Sequence, residues 1–152
     1  MLDKLIKTVE YFDLEDNFDQ HSFNNAAIHG LVYILQSLGF SFGEQYKFII
    51  VDKGNTKVLM SIELMNNIIV ENRTNEEILF SSYEESLLAF INKLLLRKNK
   101  TKYIPAISYL LYLNNNEVNH EELYHKVMSD KQYEKYLEYM KKINAWKGVG
   151  NE

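Results

Sequence analysis

Tyr46 to Leu64 reads YKFIIVDKGNTKVLMSIEL, and this stretch decides the fold. Tyr46–Asp52 is rich in β-branched and aromatic residues, and Lys53-Gly54-Asn55 is a turn signal. A second β-rich run, residues 56–64, follows at once. Connections this short join antiparallel strands, because a parallel pair needs a crossover of a dozen or more residues. Met65-Asn66-Asn67 then turns into IIVEN (68–72), and residues 73–77 turn into ILFSS (78–82). The expectation is a three- to four-stranded antiparallel meander with one face buried and one wet.

Outward from the strands the period changes to helical. Leu2, Leu5, Ile6 and Val9 predict a helix over 2–12. Residues 13–22 are acidic and aperiodic, as expected of a loop. Ala27, Ile28, Leu31, Ile34, Leu35 and Leu38 predict a helix over 23–38, with Ser22 as a possible cap and Gly39 just past its end. After the strands, Ser82 with Glu85, or Ser81 with Glu84, has capping-box spacing. A helix over 83–97 is expected there, placed to cover the sheet. Pro105 suits the first turn of the next helix, which stops at Asn114-Asn115-Asn116. Asn119 and Glu122 open a short helix to about Met128, and Asp130 caps a last one over 131–146. The fold class is therefore α+β: a meander flanked by N-terminal helices and a helical C-terminal part. We read a single domain over 1–152, with an α+β core (1–97) and a helical subdomain (98–152).

Composition bounds the chemistry. The 152 residues are 46% hydrophobic and 25% charged, ordinary for one globular domain. With no cysteine, disulfides and thiolate chemistry are excluded and packing must hold the fold. No apolar run approaches the roughly 20 residues of a membrane span. The opening MLDKLIKTVEYFDLED lacks the pattern of a secretory signal, so a cytoplasmic location is expected.

Catalytic motifs do not emerge. There is no glycine-rich phosphate loop, no GxSxG and no HExxH. His120 and His125 would stand about 140° apart on a helix. Glu121 and His125 have i,i+4 spacing, which a solvated helix face explains. His29 falls among apolar positions and reads as a satisfied, semi-buried residue. Asp52 and Glu63 lie on successive expected strands, as nuclease carboxylates do. The residue two beyond Glu63 is Met65 rather than lysine, and Arg73 is a weak substitute two beyond Glu71. The chain is expected to be no enzyme and to use neither cofactor nor metal.

Two features suit binding. The net charge is −4, and no Lys or Arg occurs between Lys7 and Lys47, where Glu10, Asp13, Glu15, Asp16 and Asp19 gather. Acids sharing one surface steer a basic partner toward it. Eleven tyrosines are many for this length, and seven follow residue 100. Tyr109 with Tyr112, and Tyr133 with Tyr136, fall on single helix faces, and Trp146 is a further anchor. Such residues are enriched in interfaces, although a tyrosine-finished seam between helices accounts for the same pattern.

Residues 24–97 resemble small bacterial immunity proteins of contact-delivered toxin systems. In that pattern a short meander ends in a Phe–Ser cap followed by acids and an aromatic–leucine helix. Here those residues are Phe80, Ser82, Glu84, Glu85, Leu88, Phe90 and Leu94. The resemblance implies a cytosolic, non-catalytic inhibitor that covers a toxin, often a nuclease. A phage-encoded blocker of a host defence nuclease, such as an anti-CRISPR, is physically the same device. The expected partner is one basic protein, with Glu10, Asp13, Glu15, Asp16, Asp19, Tyr109, Tyr112, Tyr133, Tyr136 and Trp146 as the interface. The chain is expected to be a monomer or homodimer, with no membrane and no nucleic acid. The alternative is a nucleic-acid-binding regulator using Lys93, Arg97, Lys98, Lys100 and Lys102, although DKQYEKYLEYMKK (130–142) is balanced in charge rather than basic.

Overall fold

A 12-residue helix sits at the centre of the molecule. In a computed structural model, which describes residues 3–12, 26–53, 56–65, 79–96, 103–116 and 130–149, this helix is α2 (Ala26–Ser37). It follows α1 (Asp3–Tyr11) and precedes β1 (Phe48–Lys53), β2 (Thr56–Ser61) and the single turn α3 (Ile62–Met65). Then come α4 (Ser82–Ile91), a π-helical turn (Asn92–Leu96), α5 (Ile104–Asn115) and α6 (Asp130–Val149). The class is mixed helix and strand.

Buried residues run almost all the way round α2, from Ala27 to Leu35, because it is packed on several sides. One apolar cluster takes Leu5 and Val9 from α1, Leu87, Leu88 and Ile91 from α4, Ile107 and Leu110 from α5, and Met140 and Ile143 from α6. Gly30 lets α2 and α5 approach. A Cβ there would lie 2.5 Å from Ser108 Oγ and 3.1 Å from Ser108 Cβ. Helix α2 ends where Gly39 adopts φ +94°. The Phe40 N–H then reaches back to the Leu35 carbonyl (3.0 Å) and the Gly39 N–H to that of Gln36 (3.1 Å). This closing motif needs a residue without a Cβ penalty at positive φ.

The capping box forms with Ser81 and Glu84: Ser81 Oγ accepts from the Glu84 N–H, and Glu84 Oε1 from the Ser81 N–H. The other Glu84 oxygen accepts from Lys4 Nζ at 2.6 Å, tying α4 to α1. Burial pushes this carboxyl up, but the Lys4 and Ser81 hydrogen bonds, the Lys4 charge and the Ser41 N–H outweigh it. The group is held below the usual carboxylate range.

The sheet departs from the expected meander. Among the described residues it has two strands, antiparallel, with register from Phe48↔Ser61 to Lys53↔Thr56. The run expected as one strand over 56–64 ends at Ser61 and turns into α3, where Glu63 accepts from the Ser61 hydroxyl (2.8 Å) and the Lys47 N–H (3.2 Å). Of the run 78–82, Leu79 to Ser81 form no strand and Ser82 already begins α4, because the capping box draws those residues into the helix start. The third expected strand, 68–72, lies outside the described residues, as does the short helix near 119–128. The buried/wet division also fails. Val58, Leu59, Met60 and Ser61 are all buried, so β2 is covered on both faces. Helix α6 runs on through Gly148, its last turns held by Trp146 stacked on Phe90 at 4.7 Å.

Candidate protein-docking edge

What covers β2 leaves β1 open. Ser61 directs its backbone N–H at Nδ1 of His29, 2.9 Å away, instead of at β1. Ser61 and Phe48 are therefore a non-hydrogen-bonded pair, and antiparallel pairs alternate in type. Leu59 and Lys57 point their backbone groups the same way as Ser61. On β1, the groups of Phe48, Ile50 and Asp52 point to the opposite, outer side. No described residue pairs with that side. The strand is apolar, FIIV from 48 to 51, and Ile49 and Ile50 are 39% and 40% exposed.

Local contacts fix where the edge begins. The Gln36 side-chain amide accepts from the Tyr46 N–H (3.0 Å) and donates to the Tyr46 carbonyl (2.9 Å), so α2 clips the chain just before β1. The Tyr46 ring is buried, and burial, with the Glu44 charge next, pushes its hydroxyl up to about 12. Tyr33 of α2 meets Phe48 edge-on at 5.1 Å and Tyr112 of α5 at 5.8 Å. The Tyr33 hydroxyl accepts from Asn115 Nδ2 at 2.9 Å. Burial raises the Tyr33 hydroxyl, while the Asn115 hydrogen bond opposes it. These three half-buried rings continue the surface from β1 onto the helices.

The residues expected to form an interface are distributed differently. Tyr109, Tyr133 and Tyr136 are buried in the apolar cluster. Their rings complete the packing of α5 and α6, where Tyr103 reaches Tyr136 at 5.8 Å and Tyr139 at 6.4 Å. This is the tyrosine seam, and as placed these rings offer a partner little surface. Tyr112 is half-exposed beside Tyr33, and Trp146 lies half-buried on Phe90. Glu10 lies 3.5 Å from Lys7, one turn away. Asp13, Glu15, Asp16 and Asp19 lie outside the described residues, as do Arg97, Lys98, Lys100 and Lys102. Lys93 is exposed on the π turn.

Asp52 and Glu63 do not converge. Asp52 pairs with Lys57 at 3.6 Å near the tip of the hairpin, whereas Glu63 follows Ser61 at its base. Among the described residues no three His, Cys, Asp or Glu side chains gather as a metal site would require. No helix among them is long and apolar enough to cross a membrane. No protein-family model, no curated protein and no solved structure gives a significant match to the chain.

Sequence reasoning missed Phe48, Ile49, Ile50 and Tyr33. The signal was present in KFIIVDK. A run apolar on both faces, in a hairpin with one neighbour, leaves a surface for something else to cover.

Proposed function

We propose that the chain is a non-catalytic inhibitor that binds one basic protein and neutralises it, taking up an extended segment of that partner along β1. The observation that supports this reading is the outer side of β1: backbone groups at Phe48, Ile50 and Asp52 that no described residue pairs with, flanked by exposed isoleucines and the Tyr33–Phe48–Tyr112 rings. Strand addition takes affinity from main-chain hydrogen bonds and specificity from side chains on either face. The acid-only run of the sequence supplies the field that draws a basic partner in. Within this reading the partner is a toxin, as the resemblance to immunity proteins implies, or a defence nuclease blocked by a phage protein.

The test uses the protein encoded by the adjacent reading frame and titration calorimetry. A one-to-one complex is expected, weakened at least about tenfold by Ile50→Pro, which removes an N–H the hairpin itself does not use. Charge reversal of Glu15, Asp16 and Asp19 should slow association at low salt and lose its effect as salt rises. Duplex binding without any protein partner, falling about 10³-fold or more between 50 and 200 mM salt, overturns the reading in favour of the basic 93–102 segment.

A further inference from the structure

We propose that His29 is a proton-sensitive latch between α2 and β2, released when its imidazole takes up a second proton. The geometry is unambiguous about direction. A backbone N–H can only donate, so the Ser61 N–H at 2.9 Å makes Nδ1 of His29 the acceptor. A protonated Nδ1 would turn an N–H toward an N–H. Both residues are wholly buried, so water cannot replace the lost partner. The latch closes the side of β2 that points away from β1, and α3 begins at the next residue.

Among the described residues of the elements around His29 (α2, α5, β2 and α3), no other side chain titrates near neutrality. Helices α2 and α5 carry no charged side chain, and where α5 meets α2 it brings Ser108 to Gly30 and Tyr112 to Tyr33. Strand β2 contributes Lys57, engaged with Asp52 at the hairpin tip. Turn α3 contributes Glu63, whose carboxylate is bonded by the Ser61 hydroxyl and the Lys47 N–H. Its own backbone N–H and these donors outweigh desolvation and hold it below the usual carboxylate range, so it is already ionised above pH 5.

The folded state accordingly resists a proton that the unfolded chain accepts near the ordinary imidazole value of about 6.5. Stability is full above that value. It falls as pH drops below it, until the pH reaches the folded imidazole's own lower value. The folding equilibrium constant should fall toward tenfold per pH unit through this window. Urea titrations from pH 8 to 5 test it with wild type and His29→Asn, whose Oδ1 replaces the acceptor and cannot titrate. The expected result is a wild-type loss that exceeds the variant's by up to about tenfold per unit; equal slopes overturn the latch. If the variant does not fold, nitrogen NMR of wild-type His29 decides. An Nδ1 unprotonated down to pH 5.5, with the Ser61 amide protected from exchange, supports the proposal. Titration near 6.5 with that amide still protected refutes it.

Discussion

The two strands of the hairpin are both apolar and six residues long, yet they meet opposite surroundings. In β2, TKVLMS, four consecutive residues are buried and the free side is closed at Ser61 by His29. In β1, FIIVDK, two isoleucines are exposed and the free side carries nothing among the described residues. Composition does not separate them. The difference lies in what packs on the side away from the hairpin: α2 and α5 press on β2, whereas β1 meets α2 chiefly where the Tyr33 ring touches Phe48. An edge with unpaired backbone groups and exposed isoleucines is a liability unless something uses it. For that reason the open strand, rather than the buried tyrosines, carries the functional reading.

The contrast breaks most visibly under truncation. Leu59→Ala in β2 removes a side chain that is 1% exposed and should cost about 2–5 kcal/mol in urea unfolding. Ile50→Ala, directly across from it, should cost less than about 1 kcal/mol. Equal losses would mean that β1 is as enclosed as β2. Proline sharpens the point at the level of single backbone groups. Val51 stands in a hydrogen-bonded pair with Val58, so Val51→Pro removes a ladder bond and should cost about 3 kcal/mol. Ile50→Pro, one residue away, removes an outward N–H and should cost distinctly less. Circular dichroism melts of the pair distinguish the outcomes, and a reversed order would invalidate the assignment of the open side.

Much of the helical framework was legible in the sequence. Helices α1, α2, α5 and α6 follow apolar stripes of period 3.6, and Gly39 and Pro105 stand at the ends where their chemistry suits them. The hairpin was legible because Gly54-Asn55 separates two β-rich runs. The end of the second strand at Ser61 was not. Ile62, Glu63 and Leu64 continue the β-like pattern, but Glu63 accepts from the Ser61 hydroxyl and from the Lys47 N–H, which stabilises a helical turn instead. Both Ser81 and Ser82 had an acid three residues on. The choice of Ser81 is tertiary, because only Glu84 also meets Lys4 and Ser41. The open edge of β1 was illegible for a related reason. Exposure of Ile49 and Ile50 depends on which strand the helices cover, and no local pattern encodes that choice. Helical spacing paired the tyrosines by face but did not say which way each face turns: Tyr109, Tyr133 and Tyr136 are buried, whereas Tyr112 stays half-exposed beside Tyr33.

The smallest expected effects concern charge, and they extend the same contrast from strands to ion pairs. Lys4–Glu84 and Asp52–Lys57 both join two elements of structure. The first spans 2.6 Å between side chains 22% and 10% exposed, and Glu84 also accepts two backbone N–H groups. The second spans 3.6 Å between side chains 47% and 75% exposed. Solvent and salt screen the second and not the first. Glu84→Gln should cost about 1–3 kcal/mol at pH 7, since it leaves the Lys4 ammonium without its counter-charge. Because the folded carboxyl titrates below the unfolded one, its contribution is present above about pH 4.3 and is lost as pH falls through the folded value. Wild type and Glu84→Gln should therefore converge in stability below that range. Asp52→Asn should change stability by less than about 0.5 kcal/mol at any salt concentration. If Asp52→Asn proved as costly as Glu84→Gln, the tip of the hairpin would be part of a closed interior, and β1 could not serve as an accessible edge.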